Sequence, residues 1–135
     1  LLFHEYTHAL VHTLPSRVPV WFNEGLAQHM EPSPPHWRVD RLKQPGGLAK
    51  LPSLAVLRGS GFYGSNYKSD RDGADIGYAC GLDLVDFLAE LRGENSLKDL
   101  VADMKDKKSF DDAVLDVYGL TQEELEQKWR ARFPE

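Results

Sequence analysis

The chain has 135 residues, 41% hydrophobic and 27% charged, with a formal net charge of -5, which suits one domain around one modest core. The acidic excess and the lack of a basic block argue against nucleic acid or an anionic membrane surface as the main partner. No run reaches the roughly 20 apolar residues of a membrane span, and a lone cysteine, Cys80, rules out an intrachain disulfide scaffold.

Taken in chain order, residues 1–14 read as a helix closed by Pro15. The chain opens on Leu1-Leu2-Phe3, already apolar, so it is expected to be a piece of a longer protein. Pro19 precedes a second helical run from Val20 to Glu31, VWFNEGLAQHME, ended by Pro32, Pro34 and Pro35. Residues 32–52, with five prolines and two adjacent glycines, should be largely irregular. A short helix is expected over 53–58 with Ser53 as its cap, and GSGFYGSNYKSDRDG, residues 59–73, reads as a long exposed loop. The longest helix is expected from Ala74 to Arg92. Ile76, Cys80, Leu84, Phe87 and Leu91 form its apolar stripe, Tyr78, Leu82 and Val85 widen it, and Gly93 stops it. Three short helices close the chain, with capping signals at Ser96 and Asp99, Ser109 and Asp112, and Thr121 and Glu124. No internal repeat and no period-2 strand is present, so the fold should be mainly α.

The chemistry lies in HEYTH, residues 4–8. On a helix His4 and His8 lie about 40° apart around the axis and about 6 Å apart along it, so both imidazoles can reach one metal. Glu5 lies about 100° from His4, where its carboxylate can flank a metal without ligating it and act as a general base. A catalytic zinc usually takes three protein ligands and keeps one position open. Glu24, sixteen residues after His8, offers the third, since the turn from Leu14 to Val20 is long enough to set the helices antiparallel. Glu31 follows Glu24 by seven residues and shares its predicted helical face. From there it could accept a hydrogen bond from the outer nitrogen of a ligating histidine and so orient the ring.

HEYTH followed by NEGLAQHME resembles the gluzincin metallopeptidases, zincins whose third ligand is a glutamate on a second helix. Aminopeptidase-N-like enzymes and the broader bacterial peptidase MA-like domains share that pattern. GYACGLDLVDFL, a helical run reaching YG, and a closing helix with tryptophan are similar to the C-terminal half of peptidase MA-like domains. The resemblance thus spans essentially the whole chain. It implies His4, His8 and Glu24 as Zn2+ ligands, Glu5 as the catalytic glutamate, and Asn23 and Gly25 as neighbours of the third ligand. It further implies Glu31 as an acid behind a ligand and Tyr78 as the tyrosine that stabilises the oxyanion. Tyr63 and Tyr67, in the glycine-rich loop, compete for that last role. The interval from His8 to Glu24 is shorter than in the aminopeptidases, which leans the match toward the broader MA-like group.

The implied fold is a helical zincin subdomain with the HExxH helix at its N-terminus and the upstream β-sheet part missing. Residues 1–135 would be one domain fragment: a zinc-binding helix pair over 1–31, a loop-rich segment over 32–73 and a helical part over 74–135. The implied activity is zinc-dependent hydrolysis of peptide bonds in a peptide or protein substrate. A zinc-containing domain that binds peptides or partners without cutting them is the alternative, and a metal-free helical module is the third reading.

Other residues read as structural. His12 lies about 12 Å along the axis from His4, too far for both to hold one ion. His29 lies about 140° from Glu24 and faces elsewhere, and Tyr6 is on the face opposite His4. His36 offers no spacing argument. Trp21 and Phe22 should pack the second helix against the first, and Trp37 and Trp129 should pack as well. Cys80 reads as a small buried hydrophobe, and Lys105, Lys107 and Lys108 as a solvated helix end.

Overall fold

One long helix organises the molecule, as the apolar stripe requires. The computed structural model describes residues 13–14, 18–59 and 71–135, the side chains of 71–74 excepted. Residues 1–12 of the helix expected over 1–14 and most of the loop expected over 59–73 therefore lie outside the described residues; Thr13 lies in a turn and Leu14 outside any helix, so the helix does not extend to Pro15 as expected. Among the described residues there are eight α-helices, one 3-10 turn and no strand, in line with the mainly α expectation.

Helix α1 runs Val20–His29, with the Pro19 carbonyl accepting from the amides of Phe22 and Asn23 at 3.1 Å each. It stops before the expected Glu31. Met30 caps it, and the residue before Pro32 is driven away from helical backbone angles by the proline ring. The segment expected to be irregular contains single turns that no periodicity could reveal. These are α2 (Trp37–Asp40), a 3-10 turn (Arg41–Lys43) and α3 (Gly47–Lys50). Their buried residues are Val39, Leu42 and Gly47. The amides of Gly46 and Leu48, at the start of α3, donate to the carbonyls of Glu135 and Pro134 at 2.8 and 2.9 Å, so the chain end satisfies them. Helix α4 (Leu54–Arg58) forms as expected, with Ser53 Oγ accepting from the Val56 amide at 3.2 Å.

Helix α5 runs Arg71–Arg92, beginning before the expected Ala74. Cys80, Leu82, Leu84, Val85 and Leu88 are buried on it. The apolar row continues from Leu84 through Leu88, one step of four, while Leu91 is 38% exposed near the helix end. Cys80 is fully buried, and burial pushes its thiol pKa well above the ordinary range. It is therefore an inert packing residue.

Helices α6 (Asn95–Lys105), α7 (Phe110–Tyr118) and α8 (Gln122–Arg130) follow. Ser109 and Thr121 cap α7 and α8 as expected, and Thr121 with Glu124 closes a full capping box. Ser96 does not cap α6. It lies inside the helix and buried, where its hydroxyl donates to the Gly93 carbonyl at 2.6 Å and pairs with the Tyr118 hydroxyl at 2.8 Å. The same local pattern of serine and aspartate thus serves a tertiary bond between α6 and α7. Trp129 of α8 is fully buried and donates its indole N–H to the buried carboxylate of Asp83 on α5 at 2.9 Å. Lys43 and Arg132 lie 3.7 and 3.5 Å from that carboxylate, so its charge is compensated.

Candidate active site

The expected site residues described here fall on α1, α5 and the bend after α1. The contact between the two helices begins with glycine. A Cβ on Gly25 would lie 2.1 Å from the Gly81 carbonyl oxygen, and one on Gly81 would lie 2.8 Å from the Trp21 oxygen. Only glycine on both sides lets the backbones approach this closely. Trp21 and Phe22 flank the crossing, both buried. Their rings meet Phe110 of α7, Trp21 edge-on at 5.4 Å and Phe22 tilted at 5.1 Å. The predicted packing of these residues against the N-terminal helix lies outside the described residues.

This crossing sets Glu24 on α1 beside Tyr78 on α5. Both side chains are half-buried. Burial raises the Tyr78 phenol pKa first, the Glu24 charge raises it further, and the Arg38 charge lowers it. A phenol so placed keeps its proton at neutral pH and can donate it to an oxygen nearby. Gln28, one turn after Glu24 and 2% exposed, fixes the register. Its side-chain nitrogen donates to the Tyr78 carbonyl at 2.9 Å and to the Glu24 carbonyl at 3.3 Å. Its side-chain oxygen accepts from Arg38 Nη1 at 2.8 Å. The Arg38 guanidinium carbon lies 5.6 Å from the Tyr78 ring centroid and 5.4 Å from that of Trp37. Trp37, expected to pack, is instead 67% exposed, because its one-turn helix turns the ring outward over Arg38.

Asn23 lies on α1 next to Glu24, half-buried. Glu31 lies in the bend after α1, its amide donating to the Gln28 carbonyl at 3.2 Å. The bend, rather than a helical face continued from Glu24, therefore positions it. His4, Glu5 and His8 lie outside the described residues, as do His12, Tyr63 and Tyr67.

A half-buried carboxylate on a helix locked to its neighbour suits one of three zinc ligands. Among the described residues no three His, Cys, Asp or Glu side chains converge as a metal site. A surface concavity between α6 and α7, lined by Arg92, Ser96, Asp99 and Asp116, shares no residue with this group.

Sequence reasoning missed three participants. Gln28 and Arg38 gave no signal, since one reads as a helical surface residue and the other lies in the proline-rich segment. His29, expected only to face away, is tied down at both ring nitrogens. Nδ1 meets Asp86 Oδ1 at 2.6 Å, and Nε2 meets Glu94 Oε1 at 2.7 Å. His36 Nε2 meets the other Asp86 oxygen at 3.0 Å. The Asp86 hydrogen bond raises the His29 pKa most, burial opposes it, and Glu94 adds to the rise. Asp86 was the available clue, a carboxylate within the apolar run LDLVDFL.

A family model for the Peptidase MA superfamily matches residues 1–134. No curated protein and no solved structure matches the chain.

Proposed function

Because the chain belongs to the Peptidase MA superfamily, we propose that it is a zinc-dependent metallopeptidase with a gluzincin ligand set of His4, His8 and Glu24. The observation that carries this reading is the pairing of Glu24 with Tyr78 across a crossing of two glycines, fixed by Gln28. A carboxylate and a neutral phenol are the groups that a ligand and an oxyanion donor require, and here the charge of one acts on the other.

Zinc, when bound, supplies a Lewis acid and lowers the pKa of water. Glu5 takes the proton from the attacking water and returns it to the leaving amine. Tyr78 donates its phenolic hydrogen to the oxyanion that develops on the scissile carbonyl. Asn23 flanks the ligand glutamate, and Glu31 accepts from the outer nitrogen of a ligating histidine, holding its ring in place. The substrate is a peptide or protein.

The test is Glu5→Gln. Turnover of an unbiased peptide library should fall by about a thousandfold or more while about one zinc per chain is retained. Unchanged turnover would contradict the assignment of the base. Zinc retained without any turnover in the wild-type protein would instead favour a domain that binds peptides and does not cut them.

A further inference from the structure

We propose that Arg38 selects the substrate, by pairing with a carboxylate on the peptide. The inference rests on the peptidase reading of the Glu24 and Tyr78 pair. It begins with a cation that forms no ion pair with a carboxylate among the described residues.

Other half-buried arginines with described partners face carboxylates or donate to several backbone carbonyls. Arg132 also buries a nitrogen, Nη1, outside a hydrogen bond, but it faces Asp83 and Glu90 at 3.5 and 3.1 Å. Arg130 donates to the carbonyls of Leu48, Leu51 and Pro52. Arg38 has no carboxylate among the described residues. Its one hydrogen bond is from Nη1 to the neutral amide of Gln28, and its Nε is buried without a partner. A buried donor left unpaired is costly, and a ligand that completes the set would relieve that cost.

The setting suits an anion. The guanidinium lies over the Trp37 and Tyr78 rings, contacts that leave its edge for bonding. Gln28 holds Nη1, so the edge formed by Nη2 and Nε remains, which is the fork that matches two carboxylate oxygens. Nε is covered in the free protein, so the incoming group must displace that cover to complete the pair. The same Gln28 side chain also holds the backbone of Tyr78 and of Glu24, so the cation has a fixed place beside the proposed reaction centre. Arg38 is thus a specificity residue, and the ligand chemistry is a carboxylate. Its source is either an acidic side chain near the scissile bond or the free C-terminus of a short peptide.

The experiment compares matched peptides on the zinc-loaded full chain. One arm places Glu or Gln at each position around the scissile bond; the other compares a free C-terminal acid with its amide. In one arm the acid should be cleaved with a kcat/KM about 10- to 100-fold higher. The arm that shows the preference identifies the source. In Arg38→Met that ratio should fall toward one, and in Arg38→Lys, which keeps the charge without the fork, it should be partly restored. A merely structural role would slow both members of a pair alike and leave the ratio intact. No preference in either arm, or a preference that survives Arg38→Met, overturns the proposal. If the wild-type chain cuts no peptide at all, the peptidase reading fails separately. Binding of the same pairs, followed by tryptophan fluorescence of the exposed Trp37, then decides. Tighter binding of the acid that Arg38→Met abolishes sustains the proposal, and equal binding of acid and amide overturns it.

Discussion

At one end of the α1–α5 interface the His29 ring nitrogens meet Asp86 and Glu94, while the neighbouring Gln28 accepts the one hydrogen bond that Arg38 makes among the described residues. Both clusters join the same two helices to the segment between them. In the first, each charge has a partner, and His36 adds a second contact to Asp86. In the second, a carboxylate, a phenol and a guanidinium lie close together, and the cation has no carboxylate of its own among the described residues. Paired charge of the first kind holds a fold together. Charge held rigidly and left unpaired is poised to meet a ligand. The difference separates a structural clasp from a candidate site, although neither stands out by residue type.

The comparison can be broken at its shared foundation. Gly25→Ala would drive a methyl group into the Gly81 carbonyl, so the helices must separate and both clusters should come apart. The expected cost is about 2–3 kcal/mol, read from the midpoint of urea unfolding. A change under about 0.5 kcal/mol would mean that the crossing is looser than described.

A smaller effect is expected at the clasp. His29→Gln can no longer donate to both carboxylates and should cost about 1–2 kcal/mol at acidic pH. The sign follows from the raised pKa. The folded protein holds the His29 proton more tightly than the unfolded chain, whose value lies near 6.5. The clasp's contribution is therefore complete below that pH and is lost as pH rises through the folded pKa. The stability gap between wild type and variant should accordingly narrow with rising pH. A gap that widens would contradict a protonated clasp.

The smallest change in stability is expected at Arg38. Arg38→Met removes an uncompensated charge and an unpaired buried donor, so the loss of one bond to Gln28 is nearly offset. Unfolding should shift by less than about 0.5 kcal/mol. A cost as large as that at His29 would erase the distinction between the two clusters.

How much of this was legible follows from how local each signal is. The long helix, the caps at Ser53, Ser109 and Thr121, and the stop after α1 are written within a few residues of where they act. Ser96 carried the same capping pattern and misled, because its actual partner, Tyr118, lies on another helix. Gly25 was visible only as a neighbour of Glu24. Its reason is Gly81, far along the chain, and no local pattern joins them. Trp37 was expected to pack because large aromatics usually do, and its exposure depends on a single turn of helix without periodicity. The clasp and Arg38 are contacts between distant segments, so only the folded chain reveals them. Asp83 and Asp86 in their apolar run were the hints that partners from other segments were needed.

The account depends most on Glu24 as a ligand, and metal content measures that directly. The wild-type chain, loaded and then dialysed at neutral pH, should retain about one zinc, as a three-ligand catalytic site does. Glu24→Gln should keep its fold by circular dichroism and lose most of that zinc. Equal zinc in both proteins would contradict the assignment.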